Sequence, residues 1–394
     1  VKIIHISASY KPAYIYGGPI QSVAKLCEAL VGLTVRDREL GIDDVQVLTT
    51  TANGTSELDV TIGKPVLIEG VKVSYFKRWT KDHSHFSPGL LLSLRKKILL
   101  CIQDGKPVIH IHAWWNLVSV LSCWIAKCYK VPVVLSPRGM LTSYTQTNRN
   151  SYLKKILHQS IGKKLLQYCH IHATSEQEKQ DILRIVTPKS ITTIPNLVNI
   201  KEPVSSSPLA IDNNDTTVFR LIFLSRIEEK KGLELLFDAL SLLKINWELT
   251  IAGSGKEEYI ESLKIKAQNL SIHKPINWIG QVSDQEKYSL MAKHDLLVLT
   301  SFNENFANVV IESLSVGTPI LVSDQVGLSE YVKERQLGWV CRLEANDIKE
   351  MLENAFHDQV ARKKIRQLAP EIIRKEFDDE ALINRYLEMY KILV

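Results

Sequence analysis

The sequence predicts an α/β protein made of two Rossmann-like, doubly wound domains. Three observations predict it. Short β-branched runs alternate with helix-length amphipathic segments along the chain, the alternation stops once near residue 201 and then restarts, and 394 residues suit about two domains of ordinary size. Such alternation implies parallel sheets covered by helices on both faces, one sheet in each half.

Taken in order, the first half reads as strands at Lys2–Ser7, Val45–Thr50, Val71–Phe76, Val108–His112, Val133–Ser136, Ile171–Thr174 and Ile191–Ile194. Helical spacing of apolar residues falls at Pro19–Val31, Leu90–Ile102, Leu117–Tyr129, Tyr152–Tyr168 and Glu176–Val186. Lys201 to Asp215, with Pro203, Ser205-Ser206-Ser207-Pro208 and Asn213-Asn214, lacks periodicity and reads as a linker. Strands then recur at Arg220–Ser225, Trp247–Ala252, Ile276–Ile279, Leu296–Thr300 and Pro319–Val322. Helices are expected at Gly232–Lys244, Glu257–Ala267, Asp284–Lys293, Asn308–Val316 and Asn346–Phe356. The closing segment from Pro370 to Val394 is amphipathic and helical, expected to pack back across the domain boundary. The expected organisation is 1–200, a linker at 201–215, 216–370, and a terminal helix at 371–394 lying on the first domain.

Composition narrows the class. With 45% hydrophobic and 23% charged residues the chain is neither disordered, collagen-like nor coiled-coil. Its longest apolar stretch, Trp114 to Ala126, is interrupted by Asn116, Ser119 and Ser122 and falls short of the roughly 18 to 20 residues that span a bilayer. The opening Val1–Ile6 is too short for a signal-peptide core, so export is not expected. Six cysteines without CxxC spacing read as reduced residues of a cytoplasmic protein.

Charge separates the halves: residues 1–200 hold 25 Lys/Arg against 13 Asp/Glu, the remainder 24 against 30. Gly105 to Ser175 contains nine Lys/Arg and no acid, including Lys154-Lys155 and Lys163-Lys164. Such a region attracts anions, whether membrane headgroups or a phosphorylated substrate, or else is a solvated helix face. No helix-turn-helix, zinc-finger or RNA-recognition pattern accompanies it, so nucleic acid is not an expected partner.

In open α/β sheets ligands bind beyond the carboxyl ends of the strands, and the unusual residues cluster there. Arg226 follows one strand, with Lys231-Gly232 at the next helix start: a bidentate guanidinium, a point charge and a helix N-terminus suit a diphosphate, though a surface pair flanking a loop reads the same way. Gly253-Ser254-Gly255 permits close backbone approach to a ligand, or is simply a tight turn. In Ser301-Phe302-Asn303-Glu304-Asn305-Phe306-Ala307-Asn308-Val309-Val310-Ile311-Glu312, one carboxylate lies in a loop and the other two turns into a helix. Each can accept hydrogen bonds from adjacent hydroxyls of a sugar or a ribose.

With Gly17-Gly18, His112, Ser136-Pro137-Arg138-Gly139-Met140, Arg226, Lys231-Gly232, Glu304 and Glu312 in this order, the chain resembles the retaining glycosyltransferases of the GT-B fold, in particular glycosyltransferase family 4. The resemblance extends through Pro195-Asn196, Gly317-Thr318-Pro319 and Gly327-Leu328-Ser329-Glu330 to the closing helix. It implies two domains facing across a cleft. It further implies a nucleotide-sugar donor held by Arg226 and Lys231 at the diphosphate, by Glu312 at the ribose, and by Glu304 with Asn305, Phe306, Ala307 and Asn308 at the sugar. Gly17, Gly18 and Gly253 would let backbone approach the donor, and His112 would contact the sugar near the reacting carbon. His110 on the same strand reads as structural.

Arg138, Trp114 and Tyr144 are expected on the acceptor side, a glycan or polyprenyl-diphosphate-linked glycan at an anionic membrane surface. The implied setting is capsule, O-antigen or exopolysaccharide assembly with a UDP-sugar. A GDP-mannose-dependent mannosyltransferase and a non-catalytic sugar-nucleotide-binding scaffold stay open, as do an epimerase or a phosphorylase of the same fold. No cofactor or metal is expected, because no Asp-x-Asp and no ligand-spaced His/Cys/Asp/Glu cluster occurs. Departures from the family pattern lie at Asn305 and Ala307, where Gly is usual, at Ser225, Leu197 and Asn199, and at Asp379.

Overall fold

The computed structural model describes residues 1–36, 43–105, 107–142, 161–200 and 218–393. They form two units, Val1–Leu197 with Asp379–Val394, and Val198–Asp378. Tyr144, Lys154, Lys155 and the expected linker lie outside the described residues.

Unit 1 begins with β1 (Lys2–Ser7), α1 (Gly18–Arg36) and β2 (Asp44–Thr50). A two-residue ladder follows, β3 (Ala52–Asn53) with β4 (Ser56–Glu57), then the hairpin β5 (Pro65–Ile68) and β6 (Val71–Phe76). The chain continues through α2 (Pro88–Cys101), β7 (Val108–His112), α3 (Leu117–Cys128), β8 (Val133–Ser136), α4 (Lys163–Leu166), β9 (His170–Ala173), α5 (Glu176–Ile185) and β10 (Ser190–Thr193). The main sheet has the order β10-β9-β8-β7-β1-β2-β6-β5. All neighbours are parallel except β5, which runs antiparallel to β6.

Alternation along the strands sorts the core into two layers. Ile4, Ile6, Ile109 and Ile111 pack with Leu90, Leu94 and Ile98 of α2 and Val118 and Cys123 of α3. Val47, Val73 and Tyr75 pack on the other face with Val23, Ala24 and Cys27 of α1. Covered on both faces, β7 is buried at all five positions, His110 and His112 included.

Unit 2 repeats the scheme with β11 (Phe219–Leu224), a 3₁₀ turn at Glu229–Lys231, α6 (Leu233–Ser241), β12 (Trp247–Ala252), α7 (Glu257–Asn269), β13 (Ile276–Gly280) and α8 (Glu286–Ala292). It goes on through β14 (Leu296–Leu299), α9 (Asn308–Ser315), β15 (Ile320–Ser323), α10 (Ser329–Glu334), β16 (Gly338–Cys341), α11 (Ala345–His357) and α12 (Gln359–Glu376). Its sheet is wholly parallel, in the order β13-β12-β11-β14-β15-β16.

The last helix, α13 (Asp379–Lys391), belongs to unit 1. Asp379 pairs with Lys25 at 2.8 Å, Arg385 donates to the Thr193 carbonyl at 2.5 Å, and the Tyr390 hydroxyl meets His110 Nδ1 at 2.6 Å. The return to unit 1 therefore starts at Asp379, not at 371. Pro370 sits inside α12, and the helix ends after it at Phe377, whose buried ring packs edge-on against Phe306 and Tyr331. The acid at Asp379, unexpected in the sequence, is explained by its ion pair with Lys25.

Candidate functional site

In unit 2 the strand order reverses between β11 and β14, so the loops after these two strands flank the point where an open α/β sheet takes its ligand. Arg226 lies in the first loop, half-exposed and paired with Glu228 at 2.7 Å. Lys231 ends the 3₁₀ turn of that loop; its side chain is only 7% exposed and is ion-paired with Glu304 from the second loop. The two loops are stitched together by Phe302 N–H donating to the Lys230 carbonyl at 2.9 Å and Thr300 Oγ1 to the Gly232 carbonyl at 3.0 Å. Gly232 makes this possible: its φ is +72°, and a Cβ there would stand 2.0 Å from the Thr300 carbonyl oxygen. Glu304 is fixed through its backbone, its N–H donating to Gln325 O at 3.1 Å and its carbonyl accepting from Gly327 N–H at 2.8 Å.

Gly253 also meets a packing constraint within unit 2. A Cβ on it would lie 1.8 Å from the Ser225 carbonyl oxygen, and one on Gly255 2.2 Å from that of Ile227. The glycines let the loop after β12 press against the Arg226 loop, so the space that a side chain would fill is already taken by protein backbone. Phe306 is likewise a core residue: its side chain is buried against Phe377, so only its backbone is left for a ligand. Ala307 adopts a left-handed φ of +66° as the N-cap of α9. That conformation favours Gly and costs an L-residue roughly 1–2 kcal/mol. Asn305 precedes this turn, and Asn308 opens α9, whose first turn has no side-chain cap.

Glu312 lies in the second turn of α9 with its side chain 8% exposed, and Oε1 accepts a hydrogen bond from Lys287 Nζ at 2.8 Å. Burial pushes the Glu312 carboxyl up while the neighbouring ammonium draws it back down. Lys287 was not anticipated. It sits in the polar-looking α8, 25 residues from its partner, and no sequence spacing announces the pair.

In unit 1 the reversal falls between β1 and β7. Gly17, with φ +70°, and Gly18, which opens α1, lie after β1. His112 ends β7 and is buried, its Nε2 hydrogen-bonded to His5 Nδ1 at 2.9 Å. His110 is held by Tyr390 and by Ser136 Oγ at 2.7 Å, and Ser136 Oγ also meets His172 Nδ1 at 2.7 Å. The Tyr386 hydroxyl reaches His172 Nε2 at 3.1 Å. Burial first, then the charge of Arg138, lowers His5 and His172 to about 3; burial and neighbouring charges hold His110 and His112 well below the ordinary value. All four are thus neutral imidazoles, and the His5–His112 bond needs one ring as donor and the other as acceptor.

Local sequence joins only His110 and His112; pairing β1 with β7 adds His5 and brings ligand atoms of the three within 4.8 Å of one another. Both ring nitrogens of His110 are engaged by hydroxyls, and the other two rings bond each other. Arg138, at a left-handed φ of +52°, donates to Asn196 Oδ1 at 3.1 Å. Its turn is tied by buried Glu178, which accepts from Gly139 N–H at 2.7 Å and Thr174 N–H at 2.7 Å, a fastening that the sequence did not reveal. Trp114 is fully enclosed in the core beneath α3, so its ring has no face for an acceptor. The cysteines are free thiols: Cys27, Cys123, Cys169 and Cys341 are buried, and Cys128 is exposed.

A sequence model described as glycosyl transferases group 1 matches residues 210–372, and one described as Glycosyltransferase Family 4 matches residues 17–202. A glycogen synthase from Mycobacterium tuberculosis is 24% identical over 414 residues, covering 99% of this chain and 94% of that protein. The GDP-mannose:cellobiosyl-diphosphopolyprenol alpha-mannosyltransferase of Komagataeibacter xylinus is 24% identical over 336 residues, covering 82% of this chain and 75% of that protein. Among solved structures, Anabaena Alr3699/HepE in complex with UDP and glucose superimposes with a TM-score of 0.72 at 19% identity, covering 100% of both chains. These structural neighbours share the GT-B fold.

Proposed function

The chain belongs to glycosyltransferase family 4, the group 1 glycosyl transferases, and from that premise we propose that it is a retaining, metal-independent hexosyltransferase. Its donor in this reading is a UDP-sugar, and its acceptor a glycan or polyprenyl-diphosphate-linked glycan of a cell-surface polysaccharide. The observation that carries the reading is the meeting of Lys231 and Glu304 across the two loops at the strand-order reversal of unit 2, with Arg226 on the first loop and Glu312 on the helix behind the second.

Arg226, Lys231 and the start of α9 stabilise the charge that develops on the departing diphosphate, a role worth about 10²–10³ in rate for one such donor. Glu304 orients the donor sugar through its hydroxyls, and Glu312 accepts from the ribose. The bond from the anomeric carbon to the phosphate oxygen breaks and the acceptor oxygen bonds to that carbon on the same face. The acceptor's proton passes to the departing phosphate. No side chain then serves as general base.

A seat on an anionic membrane is supported by residues 83–175, whose one acid is Asp104. It is also supported by the outward side of α2, where Leu92, Leu99 and Leu100 are exposed beside Arg95 and Lys96. No helix among the described residues is long and apolar enough to cross a membrane.

The Komagataeibacter relative favours a second reading, GDP-mannose as donor. Thermal denaturation with UDP, GDP, ADP, TDP and CMP and their sugars, with and without EDTA, separates the two, since a ligand of the native state raises Tm. A shift with uridine nucleotides that EDTA leaves unchanged is expected. A shift with guanosine nucleotides alone replaces the donor, and one abolished by EDTA refutes the metal-free site.

A further inference from the structure

We propose that Lys287 is a positioning residue for donor recognition: it fastens one oxygen of Glu312 so that the carboxylate is presented, ionised and correctly turned, to the ribose hydroxyls. This rests on reading Glu312 as the ribose acceptor.

Lys287 occupies an inward position of α8, in the same buried set as Tyr288 and Met291, where an apolar side chain would be ordinary. Its side chain is only 8% exposed, and the ammonium at its end is engaged by neighbours. It lies 2.8 Å from Glu312 Oε1, 3.0 Å from Asp284 Oδ1 and 5.0 Å from the centre of the Tyr288 ring. Tyr288 is itself tied down, its hydroxyl donating to the Asn199 carbonyl. Glu312 Oε2 has no protein partner among the described residues.

A buried ion pair of this kind is rarely better for stability than an apolar pair of equal volume, so stability alone does not account for it. Its chemical effect on Glu312 is specific. A carboxylate in so dry a site tends to take up a proton, and a protonated carboxyl loses an acceptor that two adjacent hydroxyls need. The ammonium opposes that protonation, as the draw on Glu312 noted above indicates. It also removes the rotational freedom of the carboxylate by occupying Oε1.

The test compares the Kd of UDP, GDP and ADP with those of their 2′-deoxy counterparts by titration calorimetry, using whichever base binds tightest. The wild type is expected to prefer the ribonucleotide by about tenfold or more, the scale of a hydrogen bond to a charged acceptor. Lys287→Met should reduce that preference to about twofold or less while changing the 2′-deoxy affinity little, and Lys287→Arg should retain most of it. Glu312→Gln should lose the preference too, and the double variant should lose no more than either single one. An unchanged preference in Lys287→Met overturns the proposal. An unchanged preference in Glu312→Gln shows instead that the ribose lies elsewhere, which removes its premise. If Lys287→Met does not give a cooperative melt, Lys287→Gln, which keeps a donor but not the charge, is judged by the same ratio.

Discussion

Acidification should unfold unit 1 through its four enclosed histidines. His5, His110, His112 and His172 are neutral in the folded chain, with values of about 3 or well below the ordinary one, whereas an unfolded histidine titrates near 6.5. A group whose folded value is depressed contributes stability above its unfolded value, and that contribution is lost as pH falls from about 6.5 toward the folded value. Going from pH 7.5 to 5.5 costs about 1.4 kcal/mol for each such histidine, or about 5 kcal/mol for the four together. Glu28 and Asp181 of the same unit have raised values, mainly through burial, and offset part of this loss. The remainder is comparable with the whole stability of many domains. Urea unfolding followed by circular dichroism at pH 7.5, 6.5 and 5.5 measures it, and His172→Gln should take up about one proton fewer on unfolding. A loss below about 1 kcal/mol between pH 7.5 and 5.5, or an unchanged proton count in the variant, refutes the neutral cluster.

Further outcomes follow from single features. Lys231→Ala and Glu304→Ala should each lower transfer at least about a hundredfold with the melting curve still cooperative, and near-normal turnover in either would remove the pair from the site. Ala307→Gly should raise stability by about 1 kcal/mol, read by calorimetry, because the left-handed turn at the start of α9 is strained for Ala. Gly253→Ala should destabilise by several kcal/mol, about 3 or more, since its Cβ would collide with the Ser225 carbonyl; a neutral result would mean that the loop yields. Replacing Leu92, Leu99 and Leu100 with Gln should weaken sedimentation with vesicles containing phosphatidylglycerol and leave the melting temperature unchanged, and undiminished binding would return α2 to a solvated face.

Much of this fold is written in local pattern. The strands facing helices on both sides, such as Val108–His112 and Trp247–Ala252, are apolar runs bounded by turns, and their ends could be read to within a residue. Elements carried by context were not readable. β5 is an edge strand that begins with Pro, β16 begins with Gly, and α12 contains Pro370, each a residue that normally argues against the element it occupies.

The site divides in the same way. Arg226, Lys231, Glu304 and Glu312 stand out because cations and carboxylates gather after strands. Lys287, Glu178 and the histidine set acquire meaning only from pairings across 25 to 280 residues, which no local pattern encodes. Trp114 shows the reverse error: an aromatic beside a loop looks like a ligand platform until its burial is known.

The passage of the chain out of unit 1 at Leu197 and back at Asp379 has a consequence for biosynthesis. A ribosome delivers unit 2 as one uninterrupted stretch, while unit 1 must wait for its final helix to emerge before Tyr386 and Tyr390 can close over His172 and His110. The half made first is therefore completed last, and until then it carries an unsealed patch of neutral imidazoles and apolar side chains that a chaperone has reason to hold.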